Sequence, residues 1–134
     1  MNPRRIALFA ALAAATFWAA KATAIGVAGG PGKSPFEDIL FLAGLLSFGV
    51  AAVALGIAAT PAARPWLRAL AGLGVFILGF AFGQGVNALV GALHPDGGER
   101  HWVWTEFNLW VAAVVVLAIV VPLNRTGDPR RSLA

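Results

Sequence analysis

The chain has 134 residues, of which 59% are hydrophobic and 12% charged, and its formal net charge is +4. Soluble domains carry about a quarter charged residues, so this composition excludes an ordinary soluble domain and indicates a membrane protein. Cysteine is absent, which excludes disulfides, thiolate nucleophiles and iron–sulfur ligation.

Four apolar stretches follow one another along the chain, at residues 6–28, 39–59, 67–93 and 103–121. Each is close to the roughly 20 helical residues that cross a hydrocarbon layer of ~30 Å. We predict an all-α integral membrane protein, with an antiparallel bundle of four transmembrane helices in residues 1–121 and a cytoplasmic tail at residues 122–134. The lipid bilayer is therefore the first expected partner.

The first stretch has the features of a secretory signal peptide, with a basic start, an apolar centre and Ala-Thr-Ala at residues 22–24. We expect this segment to be retained from Met1 as the first spanning helix. Its unusual residue is Lys21, a cation in a segment that is otherwise apolar or small, and Trp18 lies three positions before it.

Helix boundaries are marked by residues in the connections. Ser34 and Pro35, followed by Glu37 and Asp38, predict that the second helix starts here with acidic residues in its first turn. Pro122 is predicted to end the fourth helix, because proline has no N–H to continue it.

The third stretch carries two carboxamides, Gln84 and Asn87, which are three residues apart and so share one helix face. Small residues at four-residue spacing let membrane helices approach closely. The same stripe of the third stretch contains the glycines Gly79, Gly83 and Gly91. We therefore predict that the third helix lies at the centre of the bundle.

Polar side chains from three stretches are expected at one depth. We measure depth from the membrane side on which the two ends of the chain lie. On this scale Lys21 and Glu106 both lie about 22 Å deep, Gln84 near ~21 Å and Asn87 near ~26 Å. An unpaired charge in hydrocarbon costs ~2.5–3.5 kcal/mol, which favours a shared polar cluster. These four residues are candidate ligand contacts.

Lys21 has three interpretations. Its ammonium can snorkel to the headgroups, form an ion pair or hydrogen-bond network inside the bundle, or contact a ligand. Gln84 and Asn87 are equally consistent with hydrogen bonds between helices. Glu106 can pair with Lys21 or occupy the start of the fourth helix, where the helix dipole stabilises a carboxylate.

Aromatic residues are concentrated at the start of the fourth stretch, at the same depth. They are Trp102, Trp104, Phe107 and Trp110. An interfacial belt explains them without any ligand. The functional alternative is a pocket wall for an amphipathic molecule such as a lipid headgroup, a sterol or a quinone, with Trp18, Trp104 and Trp110 as contacts.

Basic residues are divided unequally between the two sides of a four-span arrangement. The side of the termini holds Arg4, Arg5, Arg64, Arg68, Arg125, Arg130 and Arg131. The opposite side holds only Lys33 and Arg100. The positive-inside rule therefore predicts cytoplasmic N and C termini in the inner (plasma) membrane, and this distribution by loop does not indicate nucleic-acid binding.

The loop before the fourth stretch contains four side chains with metal-ligand chemistry, His94, Asp96, Glu99 and His101. Their spacing matches no zinc signature, so we predict neither a metal site nor a catalytic set there. The sequence also indicates no particular cofactor.

Three classes of function remain, and the confinement of polar residues to one leaflet separates them. We expect a non-enzymatic protein that binds a lipid-like ligand at an outer-leaflet polar and aromatic pocket, or that is an accessory subunit packed on a membrane partner. The alternatives are a small transporter or channel built from two or more copies, and a membrane enzyme acting on a lipid headgroup.

Overall fold

The computed structural model describes residues 2–30, 32–93 and 102–126, with only the backbone described at 102–105 and 126. In chain order the helices are α1 (Pro3–Ala28), α2 (Glu37–Ala58), α3 (Pro65–Leu93) and α4 (Trp102–Thr126). Each contains a segment long and apolar enough to cross a membrane. The prediction of an all-helical chain with four helices of spanning length is confirmed.

The ends of α1 follow from local chemistry. Asn2 precedes the helix and its Oδ1 accepts the N–H of Arg4 at 2.9 Å, while Pro3 occupies a position where no N–H is needed. At the other end Gly29 adopts a φ of +87° and returns its N–H to the last turn. Glycine adopts this left-handed conformation without strain, so α1 ends there.

The start of α2 is held by a carboxylate. Glu37 Oε2 accepts the backbone N–H groups of Gly32 at 2.8 Å and Ser34 at 3.2 Å. The Ser34 hydroxyl accepts the N–H of Phe36 at 3.2 Å. The predicted start of the second helix is therefore confirmed.

The bundle has two chemically different ends. At the basic end, where α1 and α3 begin, the described charged residues are Arg4, Arg5, Arg64, Arg68 and Arg125. At the acidic end, where α2 and α4 begin, lie all the described acidic residues, Glu37, Asp38 and Glu106.

α1 and α4 run antiparallel along a seam of mostly small residues on α1, which also packs against α2. The buried positions of α1 alternate in spacing between four and three, at Ala7, Ala11, Ala14, Trp18, Lys21 and Ile25. This is the seven-residue repeat of left-handed helix packing. The seam is fixed near the basic end by Asn124, whose Nδ2 donates to the Arg4 carbonyl at 2.9 Å.

The apolar core lies between α1, α2 and α4. Its members from α1 and α2 are Ala7, Ala11, Ala14, Trp18, Phe48, Ala51 and Ala54, and those from α4 are Ala112, Ala113, Val116 and Val120. α3 contacts α2 and α4 from the edge, and its buried residues are Gly72 and Val90. The prediction that the third helix lies at the centre is therefore wrong.

α3 lies at the edge because its close contacts with α2 are not made by the glycines of the predicted stripe. A methyl group on Gly56 of α2 would meet the backbone of α3, and one on Gly72 would meet Val53 at 3.0 Å. On the predicted stripe, a methyl group on Gly79 would meet only the Phe48 ring, and one on Gly83 would meet nothing within 4 Å. α3 therefore packs closely against α2 at Gly72 and loosely against the bundle at Gly83.

α4 continues through Pro122 to Thr126, so the prediction that Pro122 ends the helix is wrong. A proline removes one backbone hydrogen bond, which a packed helix can tolerate. The last turn is also held by Asn124, which donates to the Val120 carbonyl at 3.0 Å and to the Arg4 carbonyl at 2.9 Å.

The crossing of α2 and α3 gives a first testable result. We expect Gly56→Ala to lower the free energy of unfolding by about 1–3 kcal/mol, because overpacking against fixed backbone costs this much. Gly74→Ala is the control, since a methyl group there meets nothing within 4 Å. Unfolding is followed by circular dichroism during sodium dodecyl sulfate titration. Equal stability of the two variants would contradict the close crossing.

Candidate functional site

A buried ion pair joins α1 to α4. Lys21 Nζ lies 2.6 Å and 2.7 Å from the two carboxylate oxygens of Glu106, and each residue is 9% exposed. Of the three interpretations of Lys21, the structure shows the ion pair. The equal depths expected for these two residues are consistent with their contact.

Glu106 is held by Lys21 rather than by the start of its helix. α4 begins at Trp102, so Glu106 lies beyond the first turn, where the helix dipole has most of its effect. Because one ammonium contacts both carboxylate oxygens, the charges of Lys21 and Glu106 cancel inside the bundle.

The burial of Lys21 follows from the seven-residue repeat of buried positions in α1. Lys21 lies seven residues after Ala14 and therefore faces the same seam. A heptad count of small residues from Ala7 onward would have placed Lys21 inside the bundle from the sequence alone.

Phe41 of α2 completes the surroundings of the ammonium. Its ring centroid lies 5.2 Å from Lys21 Nζ, which is within the range of a cation–π interaction. Its carbonyl accepts the indole N–H of Trp18 at 3.4 Å. Sequence analysis missed Phe41 because an aromatic residue in an apolar span carries no distinguishing signal.

Trp18 lies one turn below Lys21 in the seam and is 2% exposed. Its indole lies against Gly44 of α2, where a methyl group would collide with the ring. Its ring centroid is also 5.6 Å from that of Phe48, one turn further along α2, with the planes tilted by 34°. Its contacts with Gly44 and Phe48 therefore fix the position of the indole. The indole also forms one wall of a neighbouring cavity.

That space is a cavity of about 260 Å³ to which all four helices contribute. Its aromatic walls are Trp18, Phe41, Phe48 and Phe80. Two carboxamides, Gln84 of α3 and Asn108 of α4, are its polar groups. Gly83 also lines the cavity. The cavity therefore lies on the side of the bundle where α3 packs loosely.

The predicted site residues are only partly brought together. Trp18 and Gln84 line the cavity, and Lys21 with Glu106 lies beside it through the shared Phe41. Asn87 is exposed and lies outside the lining.

The predicted aromatic band is not part of the lining as far as it is described. Trp110 is partly buried on α4 and is not among the lining residues. The side chains of Trp102 and Trp104 lie outside the described part of the chain. Asn108 was missed, although an amide two residues after Glu106 in an apolar span was a visible signal.

The lining of the cavity is mostly apolar. The described lining side chains are aromatic, aliphatic, glycine or carboxamide, and none of these is a usual nucleophile or general base. In the part of the chain with described side chains, no three His, Asp or Glu residues are grouped to hold a metal. The predictions for His94, Asp96, Glu99 and His101 fall outside the described residues.

Comparison of the chain with known protein families, with curated proteins and with solved structures finds no match.

Proposed function

We propose that this protein binds an uncharged, lipid-like amphipathic molecule in the cavity beside the Lys21–Glu106 pair, without chemical conversion. The observation that supports this proposal is the composition of the cavity, whose lining combines aromatic side chains with two carboxamides, the exposed Gln84 and the partly buried Asn108. Ligand sites are mostly apolar with a few polar groups that fix orientation, and this cavity has that composition.

The absence of net charge at the site supports an uncharged ligand. Lys21 and Glu106 neutralise each other, and a carboxamide offers both donors and an acceptor without charge. A hydroxyl or carbonyl group of a ligand can hydrogen-bond to Gln84 or Asn108, whereas the Lys21–Glu106 pair offers no unpaired cation to an anionic headgroup.

The size of the cavity supports a partly inserted ligand. Sites that enclose a whole drug-sized molecule measure about 300–1,000 Å³, and this cavity measures about 260 Å³. It holds a polar group and the first part of an apolar chain. The remainder of the chain lies in lipid, reached beside Phe80, which is 49% exposed.

We further propose that the protein is a multi-pass protein of the plasma membrane, with both termini in the cytoplasm. The five described arginines of the basic end support this orientation. The cavity, nearer the acidic end, then lies in the outer half of the bilayer. Its ligand enters from the outer leaflet, between α2 and α3.

The packing toward the basic end favours binding over transport through one copy. Transport needs polar contacts along a path across the membrane. The seam between the cavity and the basic end is filled by residues such as Ala7, Ala11, Ala14 and Val120, each at most 1% exposed.

A cavity-filling substitution tests the proposal. In liposomes containing a photoreactive monoacylglycerol, Gly83→Leu is expected to lower the labelling of the protein at least about tenfold, the loss that corresponds to ~1.4 kcal/mol of binding. Gly83 lines the cavity, and a methyl group on it meets nothing within 4 Å, so the leucine has room to fill the cavity.

The control is Gly85→Leu, two residues further along α3. Gly85 also has nothing within 4 Å of an added methyl group but is exposed and absent from the cavity wall. We expect wild-type labelling in this variant. Equal labelling of the Gly83→Leu and Gly85→Leu variants would refute a ligand site in the cavity.

A further inference from the structure

We infer that the basic end carries a second, independent site for one anionic phospholipid, whose phosphate is bound by Arg64 and Arg68 and whose acyl chain lies in an apolar groove along α2, which Ile6 of α1 and Phe76 of α3 also line. This site is separate from the cavity beside the ion pair and does not depend on the function proposed for that cavity.

Arg68 presents a fixed guanidinium. Its Nη2 donates to the carbonyl of Ile57 in the last turn of α2 at 3.2 Å, which ties the first turn of α3 to α2. Its Nε is buried and has no hydrogen-bond partner among the described residues. Arginine has five N–H donors; one Nη2 N–H is used here and the Nε N–H is buried, so the other Nη N–H groups are the donors for a phosphate oxygen.

Arg64 adds a second guanidinium one helical turn away. The N–H of Arg68 bonds to the Arg64 carbonyl at 3.0 Å, and the Arg64 side chain is exposed. Guanidinium groups suit a phosphate because their planar N–H pairs match its oxygens, and one turn of helix places both within reach of one headgroup.

The charge at this end has no counterpart within the described chain. The described acidic residues all lie at the acidic end, which the 22 residues of α2 separate from Arg64 and Arg68 by ~33 Å of helix. This exceeds several Debye lengths at physiological salt. Within the described residues no carboxylate neutralises these arginines, and an anionic lipid can supply the charge at this depth.

An apolar groove continues from the arginines. It has a volume of about 550 Å³, and its walls include Leu45, Val50, Ile57 and Phe76. Ile57 joins the two parts, because its carbonyl binds Arg68 and its side chain lines the groove. From Ile57 to Leu45 the groove is ~18 Å long, close to the ~15 Å of one leaflet's hydrocarbon.

Trp66 lies between the two arginines and is 59% exposed. Tryptophan favours the membrane interface, so Trp66 holds Arg64 and Arg68 at the depth of the lipid phosphates. Charge, depth and the groove thus agree on a phospholipid as the occupant.

Native mass spectrometry of the full chain in detergent tests this site. The protein is titrated with phosphatidylglycerol, with phosphatidylcholine of the same acyl chains, and with inorganic phosphate. We expect one retained phosphatidylglycerol, preferred at least about tenfold over phosphatidylcholine, and no displacement by millimolar phosphate. Displacement by phosphate would overturn the lipid assignment in favour of a free anion.

Variants locate the site. The double substitution Arg64→Gln/Arg68→Gln is expected to abolish the preference, whereas Arg5→Gln/Arg125→Gln removes the same charge from the same end and is expected to keep it. Equal loss in both would overturn the site in favour of diffuse electrostatic attraction. Val50→Trp, at an exposed groove position, is expected to lower retention without any change of charge, and unchanged retention would overturn the groove.

Discussion

Lys21→Met is expected to lower the free energy of unfolding by about 3–5 kcal/mol, the cost of removing one partner of a buried ion pair. Methionine is also unbranched and fits the seam, so the loss arises from charge rather than from shape. In the variant the Glu106 carboxylate stays about nine-tenths buried without its cation. Glu106→Gln is expected to cause a comparable loss, because it leaves the Lys21 ammonium unpaired.

The double variant Lys21→Met/Glu106→Gln distinguishes an interacting pair from two separate positions. It removes both charges, so neither is left unpaired, and its loss of stability is expected to be smaller than either single loss and therefore smaller than their sum by at least about 3 kcal/mol. Stability is measured by circular dichroism during sodium dodecyl sulfate titration in detergent. Strictly additive losses would show that the two residues do not interact.

Lys33→Met provides the control for this cycle. Lys33 is exposed in the connection between α1 and α2, and the same chemical change there is expected to alter stability by no more than about 0.5 kcal/mol. A large loss in this control would mean that the charge of the whole protein, rather than the pair, sets the measured stability.

The number and length of the helices could be predicted from hydropathy, because a bilayer requires a minimum apolar length whatever the tertiary packing. The placement of α3 could not. Glycine spacing shows that a helix can approach a neighbour closely, but which glycines are used depends on the partner surface. Gly72 meets Val53 at 3.0 Å, whereas Gly83 meets nothing within 4 Å.

The candidate site was predictable to the extent that it depends on depth. Counting residues along straight helices brought Lys21 and Glu106 to one level, and their contact at 2.6 Å agrees with this. Depth does not determine which way a side chain points around its helix. For that reason Gln84 and Asn87 were treated alike, although Gln84 lines the cavity and Asn87 does not.

The ion pair and the neighbouring cavity differ in how the helices around them are packed. Pairing lets Lys21 and Glu106 join α1 to α4 inside an apolar bundle without contributing net charge to the neighbouring cavity. Gly83 leaves space at the cavity wall, where α3 is loosely packed. The close packing on the α1–α4 side and the loose packing on the α3 side are the features on which the proposed entry of a ligand from lipid depends.

Truncation of Trp18 is expected to cost as much stability as the loss of one partner of the ion pair. Trp18→Ala removes a side chain that is 2% exposed, and such a truncation costs about 3–5 kcal/mol. Trp66→Ala is the control, because Trp66 is 59% exposed and its loss is expected to stay within about 0.5 kcal/mol. Equal effects of the two substitutions would contradict the core position of Trp18.

The fit of Trp18 against Gly44 makes a sharper prediction in a double-mutant cycle. In the wild type, Gly44→Ala is expected to cost about 1–3 kcal/mol, because its methyl group displaces the indole. In the Trp18→Ala background the same methyl group enters vacated space, so its cost is expected to vanish. A penalty of the same size in both backgrounds would mean that Gly44 is required for its backbone conformation and not for the indole that rests on it.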